Sequence, residues 1–241
     1  MTVCFNSEKT ILDTVNSVRQ QTFNDYEHII LDGSSKDNTV KILEDNQHEK
    51  LRIYSEPDRG IYDAMNKSLK KAKGQFLGFL NSDDIYSSAD SLKFISDNLD
   101  GYDAVHGNLN YTMENDLNII TRKWRSKIFK KGDMMKGWMP AHPTFYCKKD
   151  SLYKIGGFDL NLKISADYDL MLRLLEHEEI KTNYIDKTLV HMREGGDSGG
   201  NLISIINQNL ECVASRNKLR KNKLIIDTAF FLKPLSKLLQ F

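Results

Sequence analysis

Two adjacent carboxylates follow a short buried strand in the first third of the sequence. Residues 75–80 are almost continuously apolar, which is typical of a strand buried on both faces. The run ends in Asn81, Ser82, Asp83 and Asp84. Ligands of open α/β sheets collect at the carboxyl ends of the strands, and carboxylates there suit Mg²⁺ or Mn²⁺ carrying phosphate oxygens. The residues alone leave an alternative open, because Asp is also favoured at helix N-caps and in solvated turns.

The segments before these acids alternate between strand and helix patterns. The predicted strands are residues 2–5, 27–31, 51–54 and 75–80. Apolar residues at helical spacing follow each of the first three strands, and Asn6 or Ser7 is the expected cap of the first helix. Four strands joined by helices predict a parallel, doubly wound sheet with right-handed crossovers.

The second half of the chain is less regular. Further strands are predicted around residues 104–107, 119–121 and 188–192, and further helices around 92–99 and 166–175. The segment 137–145 is aromatic and irregular, and residues 195–200 form a glycine-rich segment expected to be flexible.

The end of the chain combines basic and apolar side chains. Residues 201–241 are helical in pattern, and the part from 219 to 241 carries five Lys or Arg residues, many bulky apolar residues and one acid, Asp227. A basic amphipathic helix of this kind is typical of a membrane interface. Packing on its own domain or on a partner is the alternative.

Composition excludes several classes of function. A net charge of +1 gives no global signal for nucleic acid, and 40% apolar residues are typical of an ordinary globular protein. Cys4, Cys147 and Cys212 are too far apart for a zinc or redox motif, which favours a reducing cytosol. We expect neither a signal peptide nor a spanning helix, because no stretch approaches about 20 apolar residues.

Five segments together resemble the family 2 glycosyltransferases of the GT-A fold. They are TVCFN at 2–6, LDGSSKDNT at 31–39, EPDRGIYDAMN at 56–66, FLNSDD at 79–84 and ADYD at 166–169. Their order and spacing are similar to those of the family over residues 2–193. The resemblance is nearest to bacterial enzymes that add sugars during O-antigen, capsule or exopolysaccharide synthesis.

The resemblance implies an α/β, Rossmann-like and mostly parallel sheet flanked by helices, with a C-terminal helical tail. It implies a domain over residues 1–200, divided into a nucleotide-sugar-binding half (1–100) and an acceptor half (101–200). The implied activity is metal-dependent, inverting transfer from a nucleotide-diphosphate sugar, most commonly a UDP-sugar. The implied acceptor is a saccharide, including one carried on undecaprenyl diphosphate at the cytoplasmic face of the bacterial membrane.

The resemblance also implies a metal site for Mn²⁺ or Mg²⁺, which would neutralise the leaving diphosphate. The acid-x-acid motif of the family falls either on Asn81-Ser82-Asp83 or on Ser82-Asp83-Asp84, so the choice between the two acids stays open. Asn81 departs from the motif and is expected to bind the ribose. His191 aligns with a later position that completes the metal shell in many relatives, although a structural histidine is the alternative.

The general base of the family lies at the acidic start of a helix, which maps to Asp167. Ala166 stands where relatives usually have Glu. Asp169 is expected to cap or brace the site. Trp138 and His142 lie in the irregular segment where such enzymes place acceptor-facing loops, and core packing is the alternative for Trp138.

Several polar residues are expected to contact the nucleotide. They are Asn6, Glu8, Asp32, Asp58, Arg59, Asn66, Asn81 and Ser82. Gly33 stands where the family often has a second acid, which leaves the donor base open. Arg59 is expected to clamp a phosphate, with a surface cation as the alternative. Asp63 and Lys67, at i and i+4 on a helix, are expected to form a simple surface pair.

Two rival functions share parts of this pattern. A sugar-1-phosphate nucleotidyltransferase would need a Gly-rich, basic phosphate loop after the first strand, and residues 6–9 do not form one. A catalytically silent, membrane-associated binding subunit would have no need to retain Asp83, Asp84 and Asp167.

Overall fold

The computed structural model describes residues 1–177, 179–195 and 202–219 of the 241-residue chain. The strands in these ranges are β1 (Thr2–Cys4), β2 (His28–Asp32), β3 (Leu51–Ser55), β4 (Phe76–Gly78), β5 (Ile85–Tyr86), β6 (Ala104–Met113), β7 (Asp116–Trp124), β8 (Tyr146–Lys148) and β9 (Thr182–Arg193). The α-helices are α1 (Ile11–Arg19), α2 (Thr39–Asp45), α3 (Ile61–Lys71), α4 (Ser91–Asp97), α5 (Lys149–Lys154), α6 (Ala166–Leu172) and α7 (Leu202–Leu219). Short 3-10 helices lie at Met134–Lys136 and His142–Thr144, and a π-helix follows α6 at Arg173–His177.

The first three strands form a parallel sheet in the order β1-β2-β3. All five residues of β2 are buried, because helices cover both faces. Side chains alternate along a strand, so Ile29 and Leu31 pack against α3 on one face. Ile30 lies on the other face with residues of α1 and α2. The helix-flanked parallel arrangement predicted for the first strands is confirmed.

Strand β4 lies beside the beginning of β1. The Met1 amine donates to the Gly78 carbonyl at 2.8 Å, and the Leu80 N–H donates to the Met1 carbonyl at 2.9 Å. In parallel strands, the N–H and C=O of one residue typically bind two residues of the neighbouring strand that are two positions apart, as Met1 does here. The loops after β1 and after β4 therefore leave the sheet at the same edge.

Beyond β4 the sheet is mixed. Its order is β4-β8-β6-β9-β5, with β7 paired to β6. Strand β8 runs antiparallel to β4 and β6, and β5 runs antiparallel to β9, while β6 and β9 are parallel. The α/β class is confirmed, but the expectation of a mostly parallel sheet fails in this half. Parallel pairing of consecutive strands needs a crossover of a dozen or more residues, whereas only residues 114 and 115 separate β6 from β7, so this pair is antiparallel.

Helix α1 begins at Ile11, later than the sequence predicts. Its N-cap position is Thr10, which makes no side-chain capping bond. Asn6 and Ser7 bind the next loop instead: the Asn6 Oδ1 accepts from the Lys36 N–H at 2.8 Å, and the Ser7 N–H donates to the Thr39 hydroxyl at 2.7 Å. The predicted capping role is therefore replaced by a contact between two loops.

Helix α7 lies where the sequence predicts a helical tail, and it packs against α6. The Arg216 guanidinium is buried and donates to the Tyr168 hydroxyl at 2.8 Å. Residues 220–241, which carry most of the predicted membrane-surface segment, lie outside the described residues, as do residues 196–200 of the glycine-rich segment. Within the described ranges, no helix combines the length and the apolar character needed to cross a bilayer.

His28 of β2 is a fully buried histidine. Its Nε2 lies 3.0 Å from the Thr2 hydroxyl, while its Nδ1 is buried and has no hydrogen-bond partner among the described residues. Burial holds the pKa of His28 well below its ordinary value of 6.5. The neutral imidazole is therefore the form compatible with the folded chain.

We expect acidification to destabilise the fold through His28. Below about pH 6.5 the unfolded chain binds a proton that the folded chain excludes, so stability present above that pH is lost as the pH falls towards the depressed folded-state pKa. The free energy of unfolding should fall by up to about 1.4 kcal/mol per pH unit for this histidine. Urea unfolding of the wild type and of His28→Gln between pH 7 and pH 5 checks this, because the variant should have the shallower slope. Equal slopes would contradict the assignment.

Candidate active site

The turn after β4 is fixed by bonds within it and by a bond to the loop after β1. The Asn81 Nδ2 donates to the Asp84 Oδ2 at 2.9 Å, and the Asp84 N–H donates to the Asn81 carbonyl at 3.2 Å. The Ser82 and Ser7 hydroxyls share a hydrogen bond at 3.0 Å. Residues 81–84, named here the β4 turn, therefore lie against the loop that follows β1.

The two acids of the β4 turn have different environments. Asp84 is fully buried, and its Oδ1 accepts from the Arg193 N–H at 3.3 Å. Burial, followed by the charge of Asp83, raises the pKa of Asp84 well above its ordinary range. Asp83 is partly exposed. The Asp84 carboxylate is thus bound inside the fold, and Asp83 is the member of the pair nearer to solvent.

His191 lies on the strand next to the β4 turn. In β9 it pairs with Ile85 of β5, one residue beyond the turn, and on its other side with Asn110 of β6. His191 is half-buried, and burial lowers its pKa, which favours the neutral imidazole that a metal requires.

Asp83 and His191 are the residues that could hold a divalent cation sharing its coordination with a substrate. In the described part of the chain, no three His, Cys, Asp or Glu side chains converge into a complete protein metal site. Mn²⁺ and Mg²⁺ commonly bind one or two protein ligands and take the rest from phosphate and water. Asp83 with His191 is compatible with that kind of site.

The predicted nucleotide residues after β1 and β2 hold loops in place. The Glu8 Oε2 accepts from the Asn38 N–H and Nδ2, each at 2.9 Å. Asp32 is fully buried, and its Oδ2 accepts from the Ser35 N–H at 3.0 Å and from the Ser55 hydroxyl at 2.7 Å. These carboxylates shape the edge of the sheet by binding backbone and hydroxyl groups.

Gly33 leaves space for the carboxylate of Asp58. A Cβ at position 33 would lie 2.4 Å from the Asp58 Oδ2, which no side chain could tolerate without displacing Asp58. The Asp58 Oδ1 accepts from the Gly60 N–H at 2.8 Å, and Gly60 has a φ of 110° that favours glycine. The Asp58 carboxylate therefore occupies the space beside Gly33.

Arg59 and Asn66 differ in their availability to a ligand. The Arg59 side chain is 79% exposed and pairs with Asp63 at 3.4 Å. Asp63 also pairs with Lys67 at 3.6 Å, so the predicted i, i+4 pair is confirmed. The Asn66 amide binds Phe158 with both polar atoms, donating to its carbonyl and accepting from its N–H at 2.9 Å each. Asn66 therefore joins α3 to the loop before α6, and its expected contact with the nucleotide stays a prediction.

Asp167 lies in the first turn of α6 and is connected to the end of β4 through aromatic side chains. Its charge acts on His142, opposing the lowering of the His142 pKa that burial causes. The His142 ring stacks on Phe79 with centroids 5.8 Å apart, and Phe79 lies two residues before Asn81. Tyr62, which binds the backbone just before α6, stacks on Phe158 at 5.6 Å, and Phe158 meets the edge of Phe79 at 5.4 Å. One aromatic cluster therefore joins the start of α6 to the end of β4, and the general-base role of Asp167 stays a prediction.

The other residues of this half have structural contacts. Asp169 is 2% exposed and pairs with the Arg173 Nε at 2.7 Å, which agrees with the predicted bracing role. The Trp138 ring stacks on Phe129 at 6.2 Å and meets the edge of His106 at 5.9 Å, so packing describes it better than acceptor contact.

Sequence reasoning missed two polar residues beside the predicted site. The buried Arg193 donates from its Nε to the Asp83 carbonyl at 2.9 Å and also pairs with Asp13 of α1. The Tyr62 hydroxyl donates to the Ile164 carbonyl at 2.7 Å, just before α6. The position of Arg193 at the end of an apolar strand could have indicated its role. The local sequence around Tyr62 gives no indication of the contact that it makes.

The sequence profile described as glycosyl transferase family 2 matches residues 1–156. The chain belongs to glycosyl transferase family 2. An uncharacterised glycosyltransferase of Mycobacterium tuberculosis is 30% identical over 174 residues, which cover 72% of this chain and 66% of that protein. A PGL/p-HBAD biosynthesis glycosyltransferase of Mycobacterium bovis is 27% identical over 203 residues, which cover 78% of this chain and 73% of the relative.

Solved structures support the GT-A fold of this family 2 member. TarS residues 1–349 of S. aureus, in complex with UDP-GlcNAc, superpose with a TM-score of 0.68 at 19% identity, covering 95% of this chain and 68% of TarS. The mannosyltransferase PcManGT of Pyrobaculum calidifontis, in complex with GDP-Man and Mn²⁺, gives a TM-score of 0.65 at 15% identity and covers 95% of this chain and 65% of that chain. The predicted GT-A class is confirmed.

Proposed function

We propose that this chain transfers a sugar from a nucleotide-diphosphate donor to a saccharide hydroxyl, with inversion at the anomeric carbon. The observation that carries the proposal is the aromatic cluster between the start of α6, which bears Asp167, and the end of β4. Tyr62 stacks on Phe158, and Phe158 meets the edge of Phe79. A carboxylate at the start of α6 and an acidic turn after β4 suit a base and a leaving-group site.

In this mechanism Asp167 accepts the proton of the acceptor hydroxyl as its oxygen attacks the anomeric carbon. The bond from that carbon to the diphosphate breaks, and the nucleoside diphosphate leaves with the electron pair. A single base suffices for direct displacement, which inverts the configuration. Mn²⁺ or Mg²⁺ held by Asp83 and His191 would supply neutralisation of the charge that develops on the diphosphate.

A UDP-sugar is the proposed donor. The TarS complexes contain UDP and UDP-GlcNAc, while PcManGT was solved with GDP-Man, so both bases occur among similar folds. In this chain the partly exposed Asp58, beside Gly33, is the acid we assign to the base edge. Exposed Arg59 is available for a phosphate.

Surface polysaccharide or glycolipid assembly is the proposed setting. The relatives include a PGL/p-HBAD biosynthesis glycosyltransferase and a chondroitin synthase of Escherichia coli. A lipid-linked saccharide acceptor at the cytoplasmic membrane surface remains a prediction from the basic, apolar residues 219–241.

A nucleotide-release assay tests the proposed reaction. We expect the 241-residue chain to release UDP from a UDP-sugar in the presence of Mn²⁺ and a saccharide acceptor, and EDTA to lower turnover by about 10²-fold because charge neutralisation contributes several kcal/mol. A panel of UDP-GlcNAc, UDP-glucose, UDP-galactose and GDP-mannose identifies the donor. Release of pyrophosphate instead of UDP would indicate a nucleotidyltransferase, and binding without release would indicate a silent subunit.

A further inference from the structure

The carboxylate of Glu211, on α7, binds the backbone that leads into α6. Its Oε1 accepts from the Lys163 N–H at 3.0 Å, and its Oε2 accepts from the N–H groups of Ile164 and Ser165 at 3.0 and 2.8 Å. Hydrogen bonds to an ionised carboxylate are among the stronger ones in proteins. Three consecutive N–H groups, ending two residues before Asp167, are therefore held by one side chain.

The same short segment is held from its other side. The Tyr62 hydroxyl of α3 donates to the Ile164 carbonyl at 2.7 Å, so both polar groups of Ile164 are bound by side chains. The Ser165 hydroxyl donates to the Gln208 carbonyl of α7 at 3.1 Å and makes no capping bond to its own helix. The path of the backbone into α6 thus depends on contacts from α3 and α7.

Asp167 and Glu211 both lie close enough to Tyr62 for their charges to act on its phenol. Burial raises the pKa of the Tyr62 phenol, and the charges of Asp167 and then Glu211 raise it further. Tyr62 therefore keeps the proton that it donates to Ile164, and the support for this backbone persists over the ordinary pH range.

We propose that Glu211 is a positioning residue for the transfer reaction. By fixing the backbone of residues 163–165 it sets the direction of the first turn of α6, and with it the place where Asp167 presents its carboxylate to the acceptor hydroxyl. This inference rests on the proposed function, in which Asp167 is the base. Helix α7 lies beyond residues 1–156 that the family profile matches, so the profile does not carry the assignment.

Glu27 offers a matched control for Glu211. Its Oε1 also accepts backbone N–H groups of a loop, those of Lys73 and Gly74 at 2.5 and 2.9 Å, before β4 and thus at the opposite end of that strand from the β4 turn. Glu27→Ala removes the same kind of carboxylate-to-backbone contact without touching α6. A loss specific to Glu211 therefore separates positioning from general stability.

The first test measures Glu211→Ala, Glu211→Gln and Glu27→Ala with the donor of highest turnover among UDP-GlcNAc, UDP-glucose and GDP-mannose. We expect Glu211→Ala to lower kcat by about 10–10²-fold, because small displacements of a catalytic group carry losses of that size. The Kd for UDP should change less than twofold. Glu211→Gln should lower kcat by a smaller factor, because its single amide oxygen can still accept some of the three backbone hydrogen bonds.

A second readout is hydrogen exchange, which should rise at residues 163–165 in Glu211→Ala and not in Glu27→Ala. If the Glu211→Ala and Glu27→Ala chains have equal kcat below their Tm, positioning is overturned.

A double-mutant cycle with Asp167→Asn separates this inference from the proposed function. If Glu211 acts through Asp167, adding Glu211→Ala to Asp167→Asn should lower the residual turnover less than twofold. Full additivity of the two losses overturns positioning. An active Asp167→Asn enzyme overturns the base and the positioning role together. An inactive Asp167→Asn enzyme beside a fully active Glu211→Ala enzyme overturns the positioning role alone.

Discussion

Asp167→Asn is expected to lower turnover by about 10²–10⁴-fold while leaving UDP binding unchanged. The amide has the shape of the carboxylate but cannot take a proton, and general-base catalysis contributes a factor of this size. No side-chain capping bond is made at the start of α6, so the substitution removes no helix cap. Single-turnover rates and calorimetric titration with UDP and Mn²⁺ measure the two effects separately.

Asp150 provides the control for this substitution. It lies in the first turn of α5, as Asp167 does in α6, and it is exposed. Asp150→Asn should therefore change kcat less than twofold. Both substitutions remove a negative charge near a helix N-terminus, so their small effects on stability should be similar. Turnover retained by Asp167→Asn would refute the general-base assignment, and equal losses in both variants would point to helix stability instead.

The meeting of the loops after β1 and β4 could be predicted because its signals are local. The apolar run before residue 81 and the polar turn after it mark a strand end, and parallel strands place such ends at one edge of the sheet. The loops after β1 and β4 meet there through the bond between Ser7 and Ser82. The i, i+4 pair of Asp63 and Lys67 was predictable for the same reason, since helical spacing alone determines it.

The roles of individual polar residues depend on distant partners and could not be read from the sequence. Asp83 and Asp84 are adjacent, yet only Asp84 is buried, and its carboxylate accepts from the N–H of Arg193, 109 positions later. Asn66 looked like a ligand residue, but its amide is bound by Phe158, 92 positions away. Short polar motifs therefore indicate which loops meet more reliably than which partner each side chain binds.

The direction of the later strands and the role of α7 had still weaker signals. Strand β8 has three residues, and its antiparallel pairing with β4 is set by the fold rather than by any turn motif. Glu211 lies in a helix whose sequence gives no sign that its carboxylate binds residues 163–165, almost 50 positions earlier. Such long-range contacts between side chain and backbone appear only once the elements are packed.

The second large effect is expected at the β4 turn, where substituting either of two neighbouring acids should change a different property. One substitution should weaken metal-dependent UDP binding, and the other should lower stability. Asp83→Asn should weaken Mn²⁺-dependent UDP binding by about tenfold or more, because the partly exposed carboxylate is the proposed metal ligand. Its effect on the Tm should be small. UDP titrations with Mn²⁺ and with EDTA give the metal-dependent part of the affinity.

Asp84→Asn is the matched variant, because it makes the same chemical change one residue later. The buried Asp84 carboxylate accepts from Asn81 and from the Arg193 N–H, and an amide nitrogen there would face one of these donors without an acceptor. We expect the free energy of unfolding to fall by about 1–3 kcal/mol, with the Mn²⁺-dependent UDP affinity retained at temperatures where the variant is folded. If Asp84→Asn loses the metal dependence and Asp83→Asn keeps it, the two assignments must be exchanged. If neither variant alters it, the cation does not bind at the β4 turn.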